Sequence, residues 1–199
     1  MEKERILQAC TAEFMRLGVK SVSMDDISSI LGISKKTLYQ TVENKEDLVS
    51  QSIDLFLHLE RQLINEIASN ANDAIHEMIQ IGQHRVHTLR NMKPTIVHDL
   101  KKYYQSVWKR IKQFGDEEFG SILINNIEKG INEGYYRPEI NPTIITKLFR
   151  EKSWFIVDES NFSISDYKPD ELMREHLLYH LHGILSEDGK AHLKNYELF

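Results

Sequence analysis

The sequence predicts an all-α chain, with a small three-helix head at the N-terminus and a helical body behind it, about nine helices in total. Three observations carry that prediction. Apolar residues recur at spacings of three and four throughout. No two-residue hairpin turn and no sustained alternating run interrupts them. Helix start and stop residues punctuate the periodic stretches: Ser23, Ser34, Asn44, Pro94, Pro142 and Pro169 at starts, Gly18, Gly32 and Gly134 at ends.

The first helix is expected from about Lys3 to Leu17, with Ile6, Cys10, Phe14 and Leu17 on one face. Gly18 ends it, because glycine tolerates the left-handed backbone of a helix stop. Ser23-Met24-Asp25-Asp26 then supplies a hydroxyl N-cap with an acid three residues on. The helix it starts turns Ile27, Ile30 and Leu31 inward and breaks at Gly32. Ser34 caps a short third helix through about Val42, anchored by Ile33 and Leu38. Asn44 caps a fourth, with Asp47 at the capping-box position and Leu48, Phe56, Leu59 and Leu63 inward, running to about Ala68.

In the body, one helix is expected over roughly Asn72 to Asn91 and a second from Pro94 to just before Gly115. A third spans about Asp116 to Glu133, closed by Gly134 with Pro138 beyond. Asn141-Pro142 opens the next, through about Asp158, and a polar loop at 159–167 follows. The last long helix opens at Pro169-Asp170-Glu171 and ends near Ser186, leaving room for one short helix in the tail.

Composition narrows the function classes. Hydrophobic residues make up 41% and charged residues 28% of the 199, the balance of an ordinary soluble domain rather than a disordered or membrane chain. The longest apolar run, Trp154-Phe155-Ile156-Val157, falls far short of the roughly 18 residues a membrane span needs. The charged start Met1-Glu2-Lys3-Glu4-Arg5 does not read as a signal peptide, so a cytoplasmic protein without a membrane partner is expected. The lone Cys10 keeps helical step with Ile6 and Phe14 and reads as core. Net charge is −5, and residues 1–50 carry 7 Lys and Arg against 8 Asp and Glu, which disfavours a general polyanion binder. Positive charge is local instead: Lys35, Lys36 and Lys45 face only Glu43 between Gly32 and Lys45.

That cluster coincides with a helix-turn-helix between Ser23 and Val42. Two helices joined by a tight turn let the second stand in the DNA major groove while the first braces it. Here the turn is Leu31-Gly32-Ile33-Ser34. Lys35, Lys36, Thr37, Tyr39, Gln40 and Thr41 form a polar outer face on the second helix, while Leu38 and Val42 point the other way.

Residues 6–48 resemble the DNA-binding head of the tetracycline-repressor (TetR/AcrR) family. The resemblance rests on Gly32-Ile33-Ser34-Lys35-Lys36-Thr37-Leu38-Tyr39 followed by Asn44-Lys45-Glu46-Asp47-Leu48, with Ile6, Ala9, Phe14, Gly18, Ser23, Met24 and Ile27 ahead of them. Val42 stands where the family usually has phenylalanine and Ser28 where it usually has alanine, both at internal packing positions. The resemblance implies a DNA-binding domain at 1–48 and an effector-binding, dimerisation domain at 49–199. It implies a non-enzymatic transcriptional regulator, a ligand-responsive repressor binding a palindromic DNA operator as a homodimer. Tyr39, Lys45 and Ser23 would hold phosphates; Met24 and Ser34 would join them at the DNA surface; Lys35, Lys36, Thr37, Gln40 and Thr41 would face the groove. Lysine can contact guanine and glutamine can pair with adenine, so Lys35, Lys36 and Gln40 are the stronger base readers.

The resemblance also implies a dimer built from the last two long helices. Ile145, Leu148, Phe149 and Phe155 on one, and Met173, Leu177, Leu181 and Ile184 on the other, supply apolar surface, although such stripes serve intrachain cores equally well. Candidate lining for a small-molecule effector pocket is His84, His87, His98, Tyr103, Tyr104 and Trp108, with Trp154 nearby. The pairs His84/His87 and His176/His180 each share a helix face, as metal ligands do, but no acid or cysteine pattern completes a site, so neither metal nor cofactor is expected. The alternative is a helical metal-binding or enzymatic bundle carrying a DNA-binding head. It lacks a glycine-rich phosphate loop, a nucleophile elbow and a convincing carboxylate pair, so no catalytic residue is assigned.

Overall fold

Helix starts in the computed structural model, which describes residues 2–163 and 165–198, are set by side-chain caps. Ser23, Ser34, Asn141 and Ser186 each accept a hydrogen bond from the backbone amide three residues on, satisfying a donor that the first turn leaves unpaired. The described residues form α1 (Glu2–Leu17), α2 (Met24–Leu31), α3 (Lys35–Thr41), α4 (Lys45–Asn70), α5 (Ala74–Arg90), α6 (Thr95–Tyr103) and α7 (Gln105–Gln113). A π-helical turn (Phe114–Glu118), α8 (Phe119–Asn132), α9 (Pro142–Ile156), α10 (Pro169–Ile184) and α11 (Glu187–Leu193) complete the order. Among the described residues there is no strand, only an isolated antiparallel bridge between Tyr136 and Leu185. The all-α expectation with an N-terminal helix-turn-helix holds.

Two helix boundaries in the body differ from the expectation. The helix expected from Pro94 to Gly115 is broken at Tyr104, whose backbone (φ −133°, ψ 56°) leaves the helical region and separates α6 from α7. Gly115 does not end a helix. The chain continues through the π-helical turn straight into α8, and Gly115 instead makes room for Trp154, whose Cζ2 would lie 2.8 Å from an added Cβ. The other four residues of that turn each have a partner: Arg61 reaches over Phe114 and forks onto Glu118, Arg150 pairs with Asp116, and Gln113 donates to Glu117.

The chain forms two compact units. The first comprises Met1–Glu60 and Asn91–Lys112. Its core gathers Ile6, Leu7, Cys10 and Phe14 from α1, Ile27 from α2, Leu38 from α3 and Leu48 and Val49 from α4, all buried. Burial pushes the Cys10 thiol up to about 11, which fits the core role expected for it. Ile30 and Leu59, expected to face inward, are instead exposed. The α1–α2 turn is tied to α6 within this unit: the Lys93 amide donates to Met15 O at 2.7 Å, and the Lys20 amide donates to Asp99 Oδ2 at 3.0 Å.

The second unit comprises Arg61–Arg90 and Gln113–Phe199. In it α5 packs on α10, α10 on α9, α9 on α8 and α8 back on α5, so four helices enclose a common core. Tyr136 plugs one end. Its hydroxyl donates to Ala74 O at 3.0 Å, and Asn126 Nδ2 donates to the same carbonyl at 2.9 Å.

Candidate nucleic-acid interface

The bracing helix α2 is held by a reciprocal cap. Ser23 Oγ accepts from the Asp26 amide at 3.1 Å while the Ser23 amide donates to Asp26 Oδ2 at 2.8 Å. These bonds hold the Asp26 carboxyl below its usual range, the Ser23 hydroxyl contributing most. At the other end Gly32 takes a left-handed backbone (φ 63°), and the Ile33 amide reaches back to Ser28 O at 3.0 Å. That reversal sets Ser34 to cap α3 through the Thr37 amide at 3.0 Å. Ser28 and Val42, the two departures from the family pattern, are both buried packing positions.

α3 is divided as a groove-reading helix requires. Leu38 and Val42 are buried, while Lys35, Lys36, Tyr39 and Gln40 are exposed and Thr37 and Thr41 half-buried. Ser23 and Ser34 are exposed at their caps, and Met24 is half-buried on the first turn of α2. Asn44 Oδ1 accepts the Asp47 amide at 3.0 Å, but Asp47 Oδ2 takes the Glu43 amide at 2.9 Å, so the box at the start of α4 is shifted by one residue. Lys45, beside that start, donates to Lys20 O at 3.4 Å, and partial burial draws its ammonium below the usual lysine range.

Two contacts here have no signature in the sequence. Lys35 Nζ lies 2.6 Å from Asp25 Oδ1, so one of the outward cations of α3 is held by an acid of α2. Lys20 Nζ donates to the Tyr103 hydroxyl at 3.2 Å, across 83 positions of sequence. No local pattern announces a pair that distant.

The residues expected in a dimer interface divide sharply. Phe149, Met173, Leu177, Leu181 and Ile184 are buried within the second unit, where they face the other helices of the same chain. This corrects the expectation for those five, because side chains consumed by the chain's own core cannot also cover a second copy. Ile145 is half-buried; Leu148 is 59% exposed, and Ile144, Phe155 and Tyr179 are exposed with it on α9 and α10.

The pocket candidates are dispersed. His84 and His87 sit on α5 in the second unit, while His98, Tyr103, Tyr104 and Trp108 sit on or beside α6 and α7 in the first. His87, His98 and Tyr103 are exposed, which corrects their expected place in an enclosed pocket. His84, Tyr104, Trp108 and Trp154 are half-buried. His176 and His180 both pack on Phe149, with ring centroids at 4.7 Å and 4.4 Å, and His176 Nε2 meets Phe149 O at 3.1 Å. Among the described residues no group of three or more His, Cys, Asp or Glu side chains is arranged for a metal ion, and no helix is long and apolar enough to cross a membrane.

No family model matches the chain. It is 29% identical over 107 residues to the uncharacterised HTH-type transcriptional regulator YvaF of Bacillus subtilis, a match covering 52% of this chain and 55% of that protein. It is 21% identical over 173 residues to the HTH-type transcriptional repressor KstR2 of Rhodococcus jostii, covering 78% of each. Among solved structures, a TetR-family regulator from Agrobacterium tumefaciens superposes with a TM-score of 0.75 at 16% identity, over 93% of this chain and 98% of that one. The ketosteroid transcriptional regulator KstR2 of Mycobacterium tuberculosis does so with a TM-score of 0.61 at 18% identity, over 94% and 96%. With its capped helix-turn-helix and its helical body, the chain has the fold of the TetR-family transcriptional regulators.

Proposed function

We propose that this protein is a cytoplasmic, non-enzymatic transcriptional regulator, a repressor that binds a palindromic DNA operator as a homodimer and responds to a small molecule. The observation that carries the reading is the division of α3: a buried Leu38–Val42 side anchors it, and Lys35, Lys36, Tyr39 and Gln40 stand outward between two capped turns. Phosphate contacts position such a helix and base-edge contacts specify the sequence. Tyr39, Lys45, Ser23, Met24 and Ser34 take the positioning role; Lys35, Lys36, Thr37, Gln40 and Thr41 take the groove.

Dimerisation supports this use, because one short helix reads too few bases for tight binding, whereas two heads set roughly 34 Å or a multiple apart read two half-sites. The exposed apolar side chains Ile144, Leu148 and Phe155 of α9 and Tyr179 of α10 support that assembly, with Ile145 at its margin. The effector acts by favouring the arrangement that does not fit DNA, since a ligand with equal affinity for both shifts nothing. The half-buried Tyr104 and Trp108 of the first unit supply aromatic and polar groups for a partly apolar ligand. α4 is the lever, being one continuous helix from the end of the reading head into the body.

The test is selection of duplex fragments from genomic DNA by the purified chain, followed by binding isotherms on the selected fragment. Tyr39→Phe and Lys45→Ala should each weaken binding several-fold with melting curves unchanged, and sedimentation should show two chains per duplex. Failure of the wild-type chain to select any fragment would refute the regulator reading.

A further inference from the structure

Lys20, Lys102 and Tyr103 form a basic patch in the first unit that the helix-turn-helix does not use. The patch is built by α6. Lys93 Nζ donates to Leu17 O at 2.9 Å, and the buried Asp99 carboxylate takes the Lys20 amide, so the α1–α2 turn is fixed along α6. One helical turn beyond Asp99, Tyr103 stands 43% exposed. Lys20 Nζ lies 5.0 Å from the centre of the Tyr103 ring, and Lys102 Nζ lies 5.4 Å from it. The two ammoniums hold the phenol below its usual range, the Lys20 hydrogen bond contributing most. Lys45, already a phosphate-holding candidate, donates to Lys20 O, which joins the patch to the DNA-binding face through a single residue.

This arrangement has a chemical sense. Asp99 meets the segment as an acceptor for a backbone amide, and Asp26 is occupied by its cap on Ser23, so these two carboxylates are engaged while the ammoniums stay at the surface. Because Lys20 donates to the phenol oxygen, the phenol's own proton remains available for an outside acceptor. Two ammoniums beside one exposed phenol supply the charge and the donors that a phosphodiester, an anion with two free oxygens, accepts. Continuity with Lys45 selects the source, the backbone of the same duplex that α3 reads.

We propose that Lys20, Lys102 and Tyr103 grip a DNA phosphate outside the reach of the reading helix, extending the interface from the head onto α6. The inference rests on the DNA-binding reading above. A clamp of this kind is blind to sequence and works by releasing counterions, so it belongs to non-specific as well as specific binding.

The test is a salt titration of the full chain on a mixed-sequence duplex. Each phosphate neutralised contributes about 0.9 to the slope of log affinity against log salt concentration. Lys20→Gln and Lys102→Gln should each lower affinity about 3- to 10-fold near 0.1 M salt, and the double variant should flatten that slope by about one, for the one phosphate that the two lysines share. Tyr103→Phe should weaken binding by about 2-fold with the slope unchanged, since it removes a donor and no charge. Lys109→Gln, an exposed lysine of α7 in the same unit, controls for net charge and should move neither quantity. A double lysine variant with wild-type slope and affinity, with Tyr39→Phe and Lys45→Ala still weakening binding, would overturn the clamp and leave the regulator reading intact. A wild-type chain that binds no duplex would overturn both.

Discussion

Lys35 of the reading helix is paired with Asp25 of the bracing helix, Nζ to Oδ1 at 2.6 Å, and both side chains are largely exposed. The acid favours the start of α2, where the unpaired amides attract negative charge. On the proposed DNA-binding reading it also competes with DNA for the lysine and places a negative charge close to where phosphates would come. Asp25→Asn should therefore tighten duplex binding, by about 2- to 10-fold at low salt, since an exposed pair contributes little to stability and is screened as salt rises. Affinities measured at two salt concentrations check this: the gain should shrink at the higher one. Equal or weaker binding by Asp25→Asn at low salt would show that the pair orients Lys35 rather than withholding it.

The Lys35–Asp25 pair also marks the limit of what local pattern reveals. Caps and turns act over three or four residues, so Ser23 with Asp26, Ser34 with Thr37 and the left-handed Gly18 and Gly32 are legible in the sequence. Apolar periodicity finds a buried face but does not name what covers it. Met173, Leu177, Leu181 and Ile184 read equally well as dimer surface or core, and only the packing of α5 and α9 against α10 decides for core. Gly115 reads as a helix stop for a related reason: its lack of a side chain serves Trp154, 39 positions away, and no neighbouring residue says so. Tyr103 reads as a pocket aromatic because nothing beside it in the chain reveals Lys20.

His180 should make stability depend on pH. Burial against Phe149, with His176 a smaller contributor, holds its pKa down to about 4, whereas in the unfolded chain it stays near 6.5. The unfolded state then takes up a proton that the folded state refuses. Stability should fall as pH drops from about 6.5 to about 4 and level off beneath. The loss should reach about 3 kcal/mol, because each tenfold difference in proton affinity between the two states is worth about 1.4 kcal/mol. His176, also lowered chiefly by burial, acts in the same direction. Urea midpoints across that range measure the slope, and His180→Gln should remove much of it. An unchanged slope in that variant would locate the titration elsewhere.

Asp73 ties the C-terminal helix to the start of α5. Its Oδ1 accepts the His76 amide at 2.9 Å, capping α5, and its Oδ2 accepts from His192 Nε2 at 2.9 Å and from the Tyr196 hydroxyl. Asp73→Ala removes the cap and both tertiary bonds together, a loss of about 2–4 kcal/mol. Asp73→Asn can retain the cap and should cost less. Amide exchange at 187–196 should quicken in the alanine variant, and protection that stays at the wild-type level would show that Tyr135, stacked on His192, suffices to dock the helix.

Two glycines inside helices should answer to alanine with opposite signs. At Gly183 an added Cβ meets nothing within 4 Å, so Gly183→Ala should stabilise by up to about 1 kcal/mol through helix propensity, less if the last turn of α10 frays. At Gly130 the added carbon would fall 2.2 Å from Tyr136 Cδ2. That ring cannot readily yield, because it is fully buried and its hydroxyl is fixed by Ala74 O and Asn126. Forcing it aside costs about 1–3 kcal/mol of overpacking, and a lost buried hydrogen bond adds about 1 more, which together outweigh the same propensity gain. Gly130→Ala should thus lower the denaturant midpoint while Gly183→Ala raises it. Adding Tyr136→Phe to Gly130→Ala separates the causes: without the hydroxyl bonds the ring can shift, so the two substitutions together should cost less than the sum of each alone. Strict additivity would mean that the clash is relieved by movement of α8 and not by the ring.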